Sequence, residues 1–198
     1  MTVHPAAYYR DILAELLMSS SGPMDRDISS VCADSRQVQP GALFCAIKGQ
    51  KADGHDFIPA ALAAGAAAIM LERPCALPPD VVYFQVKEPY RAMAVLAEAA
   101  AGFPARALRL IGITGTNGKT TSAYLLRHIF QQASYRPAMI GTVVYDLGDG
   151  SIRNADRTTP TPFELQELFS KIKSAGANPV VIEVSSHALA QYRLGTAA

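Results

Sequence analysis

Three observations predict an α/β fold in two units. Apolar runs of strand length alternate with segments of helical period, the pattern of layered α/β structure. The stretch Leu108 to Phe130 passes from an apolar run through a glycine-rich turn into an amphipathic helix, the order of a phosphate-binding strand, loop and helix. Phe103-Pro104-Ala105-Arg106 interrupts the alternation near the middle of the chain. The expectation is a first domain over 1–106 and, over 107–198, the first part of a mononucleotide-binding domain with a mostly parallel sheet.

The elements follow in order. His4-Pro5 to Met18 reads as a first helix with proline near its start, closed by Ser20-Ser21-Gly22-Pro23. Strand-like runs at Ile28–Ala33 and Ala42–Ile47 lead to a helix over Phe57–Ala64, which Gly65 ends. Ala66–Leu71 and Val81–Val86 are strands, joined by the proline-rich connection Cys75–Asp80. Glu88–Gly102 is an alanine-rich helix. Beyond the interruption come the loop helix to about Ala133, a strand at Pro137–Thr142, and a hairpin over Val143–Ile152 around Gly148-Asp149-Gly150. Thr161-Pro162-Phe163-Glu164 is a capping-box sequence with proline at the first helical position. Its helix ends at Gly176, and the β-branched run Pro179–Val184 is a buried strand.

The chain has 198 residues, 49% of them hydrophobic, and a formal net charge of +1. That length can bury a substantial core. Near-neutral charge leaves no electrostatic footprint for nucleic acid or an anionic membrane. No apolar window approaches a membrane span, and Met1–Pro5 does not open a secretory signal. Cys32, Cys45 and Cys75 form no Cys-x-x-Cys, so buried reduced thiols in a cytoplasmic protein are expected.

Gly112-Ile113-Thr114-Gly115-Thr116-Asn117-Gly118-Lys119-Thr120-Thr121 carries the chemistry. Glycines let backbone N–H groups converge on phosphate oxygens, and the helix start adds a positive dipole end. Lys119 reaches the terminal phosphates and the Thr120 hydroxyl ligates Mg²⁺. The expected ligand is ATP or GTP. The spacing departs from the common pattern, because Ile113 stands where the first glycine falls and the glycines sit at 112, 115 and 118.

Other positions read two ways. Glu183, at the C-terminal end of a strand, either completes the Mg²⁺ shell or is a solvated strand-end carboxylate. Ser185, Ser186 and His187 bind substrate or cap the next helix. With no Gly-x-Ser-x-Gly elbow present, a serine hydrolase is discounted. Arg193, near Gln191, clamps a carboxylate or phosphate or makes a surface salt bridge. Thr158-Thr159-Pro160 either suits an anionic ligand or only caps a helix. Asp34-Ser35-Arg36 and the polar loop from Gly49 to Asp56 have loop-only explanations of their own.

Together these segments resemble the Mur ligase family in its MurE type, the UDP-N-acetylmuramoyl-L-alanyl-D-glutamate ligases that add the third residue of the peptidoglycan peptide. The matching text is Ala33-Asp34-Ser35-Arg36, Pro40-Gly41-Ala42-Leu43-Phe44, Gly49 to Asp56, Gly115 to Thr121, Thr158-Thr159-Pro160, and Glu183 to Leu189 with Gln191 and Arg193. The first block is shared with MurF-type ligases and the phosphate loop with folylpolyglutamate synthases, the nearest alternatives. The Glu-Val-Ser-Ser-His block with its Gln and Arg points to the MurE type.

The resemblance implies a UDP-binding first domain, contacting the nucleotide-sugar through Ala33, Ser35, Gln50, Lys51 and Ala52. It implies ATP on Gly115, Thr116, Asn117, Gly118, Lys119, Thr120 and Thr121, and Mg²⁺ on Thr120 and Glu183. Lys119 and Glu183 are the implied catalytic residues. Thr158, Thr159, Ser185, Gln191 and Arg193 hold the sugar-peptide end. Some relatives carry Asn where this chain has Arg157. The implied activity is ATP-dependent amide formation between UDP-MurNAc-L-Ala-D-Glu and meso-diaminopimelate or L-lysine, through an acyl phosphate, in a cytoplasmic monomer. The family's carbamylated lysine, further Mg²⁺-binding histidine and amino-acid-binding domain fall beyond Ala198. The chain alone is therefore expected not to form amide bonds, and a non-catalytic nucleotide-sugar-binding piece is the competing reading.

Overall fold

The computed structural model describes residues 3–49 and 52–197. The chain divides into two compact units, Met1–Gly102 and Phe103–Ala198. The break coincides with two successive left-handed residues, Gly102 at φ 73° and Phe103 at φ 53°. The 3-10 turn Pro104–Ala107 that follows packs within the second unit.

In the first unit, β1 (His4–Pro5) pairs antiparallel with β3 (Asp27–Ile28) and leads directly into α1 (Ala6–Ile12). The main sheet has five strands in the order β2 (Leu17–Ser21), β7 (Val82–Val86), β6 (Ala68–Leu71), β5 (Ala42–Ala46), β4 (Ser30–Cys32). β4 to β7 run parallel, and β2 joins the edge antiparallel to β7. Every residue of β5 and β6 is buried, as expected for central parallel strands covered on both faces. α2 (Ile58–Ala63) packs on one face with Phe44, Ile69 and Leu71. α3 (Pro89–Ala100) buries eight residues, five of them alanines whose small side chains cost a helix little.

The predicted first helix is shorter than the sequence suggests. It stops at Ile12, and residues 17–21 form a strand instead. Serine competes with helix by bonding nearby backbone groups, and the Ser19–Ser21 run finds an extended partner in β7, where Ser19 Oγ donates to Gln85 Oε1 at 3.0 Å. The run Ile28–Ala33 divides into β3 and β4 around Ser29. Cys32 and Cys45 are buried, and burial pushes the Cys32 thiol up to about 11. Cys75 is exposed, contrary to the expectation for all three.

The second unit carries a five-stranded sheet in the order β11 (Ile152–Asn154), β10 (Val144–Asp146), β9 (Ala138–Ile140), β12 (Val180–Glu183), β8 (Leu110–Ile113). β8, β12 and β9 are parallel, and the predicted hairpin adds β10 and β11 antiparallel. α4 (Lys119–Gln132) covers one face, where Ala123 meets Met139 and Val181. α5 (Pro162–Ser174) covers the other, where Leu165, Leu168, Phe169 and Ile172 meet Ile140, Val180 and Ile182. The capping box expected at Thr161 is present, with reciprocal bonds between Thr161 and Glu164. Strand periodicity then decides where Glu183 goes: two residues past Val181, its side chain faces α4.

One ion-pair cluster closes the loops after β5 and β6. Asp53 Oδ1 accepts from the His55 amide at 3.0 Å and lies 2.9 Å from His55 Nδ1, while Arg73 donates to Oδ2 at 2.8 Å. The His55 amide, then Arg73, then the His55 ring hold the Asp53 carboxyl well below its ordinary 3.8. A lowered carboxyl contributes stability that is complete above the unfolded-state pKa and is lost as pH falls through the folded one. Asp53→Asn should therefore lower the unfolding temperature at pH 7. Thermal melts from pH 7 to pH 2 should show the gap closing in acid, below the ordinary aspartate range.

Candidate phosphate and substrate site

The site of the second unit is built where β8 ends. Thr114 to Gly118 form an exposed loop, and α4 opens at Lys119. Gly118 occupies the helix N-cap at φ 81° and Gly115 sits at φ 142°, conformations that side chains disfavour. No side chain caps this helix. The first intrahelical bond recorded from its start is Ser122 N–H to Gly118 O at 2.9 Å. The preceding N–H groups are the unpaired donors of a helix start. Lys119 folds back over the loop, its Nζ donating to Gly115 O at 2.7 Å and Thr116 O at 3.4 Å. Gly112 lies in β8, and a methyl there would touch only Val184 at an ordinary 3.5 Å. It is not part of the cradle.

Glu183 is fully buried at the C-terminal end of β12. Three hydrogen bonds hold its carboxyl group: Thr120 Oγ1 to Oε2 at 2.8 Å, Thr142 Oγ1 to Oε2 at 2.9 Å, and the Thr142 amide to Oε1 at 3.0 Å. The solvated-glutamate alternative is thereby excluded. The carboxyl group rests directly against the backbone of Gly141, where an added Cβ would overlap Oε1 and stand 3.1 Å from Cδ.

The other candidates of this unit connect to Glu183. The Thr158 and Thr142 hydroxyls lie 3.2 Å apart. Since Thr142 has one hydroxyl proton and it goes to Glu183, Thr158 is the donor of that pair. Thr159 Oγ1 donates to the Glu183 carbonyl at 2.9 Å and accepts from the Ser185 amide at 3.0 Å. Ser185 is the N-cap of α6 (Ser186–Ala190), its Oγ accepting from Ala188 N–H at 3.2 Å. Arg193 Nη1 donates to Thr159 O at 2.8 Å, and its Nε and Nη2 grip Gln191 Oε1 at 3.0 and 2.9 Å. Lys119, Thr120, Glu183, Thr158, Thr159, Ser185, Gln191 and Arg193 thus belong to one contiguous region. Thr116, Asn117 and Thr121 are exposed around it.

In the first unit Ala33 follows β4 and Ser35 opens a 3-10 turn capped by Asp34. Ala52 lies after β5, its carbonyl accepting from Gly49 N–H at 2.9 Å. Both positions sit past C-terminal ends of neighbouring parallel strands, where open α/β sheets gather ligands. Gln50 and Lys51 lie outside the described residues. Among the described residues no His/Cys/Asp/Glu cluster has metal-ligand character. Thr120 Oγ1 and Glu183 Oε2 stand side by side at the loop as oxygen donors, a hard-ligand pair that would suit Mg²⁺ alongside phosphate.

Gly141 and Thr142 escape sequence reasoning, although Gly-Thr directly after an apolar strand is a signal of a strand end facing the ligand side. Gly141→Ala should displace the Glu183 carboxyl group and leave Thr120 without its acceptor. Calorimetry should show a loss of stability of about 1–3 kcal/mol, the scale of overpacking. A melt unchanged from the parent would mean that Glu183 does not rest on this backbone.

Residues 27–105 match the Mur ligase family catalytic domain, and residues 113–198 the Mur ligase middle domain. The Bacillus licheniformis UDP-N-acetylmuramoyl-L-alanyl-D-glutamate–2,6-diaminopimelate ligase is 44% identical over 171 residues, which are 86% of this chain and 34% of that protein. The Bacillus cereus protein of the same name is 45% identical over 163 residues, 82% of this chain and 33% of its own. The chain spans about a third of the length of these curated relatives. A solved structure of a ligase of that name aligns with a TM-score of 0.74 and 25% identity, covering 98% of this chain and 38% of the other. The strand–loop–helix with its buried strand-end glutamate and the matches along both units lead to one conclusion: this chain belongs to the Mur ligase family.

Proposed function

We propose that the chain is the nucleotide-sugar-binding and ATP-binding part of an ATP-dependent amide ligase of the MurE type. The parent activity joins UDP-MurNAc-L-Ala-D-Glu to an amino acid, meso-diaminopimelate or L-lysine, in cytoplasmic peptidoglycan synthesis. The observation that carries this reading is the Thr120–Glu183 bond at the mouth of the glycine loop. It puts a hydroxyl and a carboxylate beside the unpaired N–H donors of α4, where a triphosphate and its cation are held together.

Each group has a physical task. The N–H groups at the start of α4 receive phosphate oxygens. Lys119 leaves the carbonyls of Gly115 and Thr116 and follows the charge of the transferring phosphoryl group. Glu183 orients the Thr120 hydroxyl so that its lone pairs face outward. Thr120 and Glu183 would hold Mg²⁺, which would supply charge neutralisation on the phosphates. Thr158, Ser185 and Arg193 steady the sugar-peptide end, so that the glutamyl carboxylate meets the γ-phosphate in line. That carboxylate is a poor acyl electrophile, and its phosphorylation makes a carbonyl that the incoming amine attacks, with phosphate leaving. The loops after β4 and β5 anchor the UDP end, turning a weak encounter into a positioned one.

Titration calorimetry tests the assignment. The chain should bind MgATP, and Lys119→Ala should weaken that binding at least tenfold, a loss of about 1.4 kcal/mol or more. Glu183→Gln should reduce its Mg²⁺ dependence, and both variants should bind UDP like the parent chain. Unchanged MgATP affinity in Lys119→Ala would refute the site. The chain alone should release no phosphate with the UDP-muramoyl dipeptide and amino acid, whereas a protein of the relatives' full length should.

A further inference from the structure

A segment of seven residues, 155–161, carries Thr158 and Thr159 across the ligand side of the second unit. It is held at every second residue, 155, 157, 159 and 161. The Ala155 amide donates to Val143 O at 3.0 Å, the Thr159 hydroxyl donates to Glu183 O, Arg193 donates to Thr159 O, and Thr161 caps α5. At residue 157 the anchor comes from the core. Tyr145, in the middle of β10, is fully buried, and its phenol donates to Arg157 O at 2.7 Å. Neither the strand pattern nor the family motifs single out this tyrosine.

The ring and the hydroxyl divide the labour. The ring packs with Leu165, Leu168 and Phe169, and Arg153 lies over it at 5.0 Å while pairing with Glu164 at 3.8 Å. Packing therefore fixes the ring without the hydroxyl. The hydroxyl is spent on one main-chain carbonyl, immediately before the residue whose side chain continues the chain of bonds to Glu183. Burial holds the phenol above its ordinary range, so it stays a neutral donor throughout the physiological range.

We infer that Tyr145 is a positioning residue: its hydroxyl fixes the Arg157 carbonyl and so sets where Thr158 presents its side chain to the sugar-peptide end of the substrate. This rests on the ligand assignment proposed above. It predicts an effect on one ligand only. The UDP end and the ATP loop do not depend on residue 157, whereas the muramoyl dipeptide does.

The test is Tyr145→Phe, which keeps the packed ring and removes one oxygen. Calorimetry should give unchanged dissociation constants for UDP and MgATP, and a five- to tenfold weaker one for UDP-MurNAc-L-Ala-D-Glu, the scale of one lost neutral hydrogen bond. Ile172→Val, further along α5 in the same core, should lower the melting temperature and leave the dipeptide affinity as it was. In the double variant with Thr158→Ala, the two losses should combine to less than their product. Equal dipeptide affinity in Tyr145→Phe and the parent chain would overturn this role and leave the ligand assignment standing, as would Ile172→Val weakening the dipeptide by the same factor. A parent chain that binds the dipeptide no better than UDP would overturn both. If Tyr145→Phe does not fold, amide exchange in Thr158→Ala decides: faster exchange at 156–159 with Tyr145 intact would refute the phenol as the anchor.

Discussion

The second unit depends on a buried carboxylate whose neighbours all come from different elements. Glu183 is brought by β12, Thr120 by α4, and Thr142 by the end of β9. An ionisable side chain taken out of water costs several kcal/mol unless it is hydrogen-bonded. Its three donors offset that cost only while α4, β9 and β12 keep their register. The carboxyl group thus reports on the assembly of the unit. Its backbone carbonyl extends the same constraint to Thr159, and from there to Ser185 and Arg193.

The first unit solves a simpler problem with similar means. Its parallel strands deliver two loops to one end of the sheet, and polar contacts within and between loops keep them in shape. Asp34 caps the turn that begins with Ser35, and Asp53 joins the loop after β5 to Arg73 after β6. The exposed Asp34–Arg36 pair contributes little to stability. Both contacts also have a geometric value, since each removes freedom from a loop. The same division appears in the second unit, where the apolar faces of α4 and α5 supply the stability and the polar strand ends supply the shape.

What the residues reveal in advance follows from how local each feature is. The glycine loop, the capping box at Thr161 and the alternation of elements are written in neighbouring positions, and the structure contains all three. The length of α1 is not local: residues 13–18 satisfy a helical period, and only the partner strand β7, more than sixty residues away, turns Leu17–Ser21 into an edge strand. Glu183 is visible as a strand-end carboxylate, yet its burial depends on Gly141, which is 42 positions earlier and needs no side chain to matter. Thr142 and Tyr145 are ordinary strand residues until the fold brings Glu183 and Arg157 to them. Arg193 reads as a clamp on an anionic ligand or as a surface salt bridge, and only the fold shows that it donates to Thr159 and Gln191.

Lys119 has a consequence of its own. With its ammonium group laid on the carbonyls of Gly115 and Thr116, the lysine is already partnered within the loop. An arriving anion must compete with those carbonyls for the lysine. A single weak charge gains little from the exchange, whereas a polyphosphate gains the lysine and the helix amides together. On the proposed ATP assignment, the loop would favour high charge density before any contact with base or sugar is made.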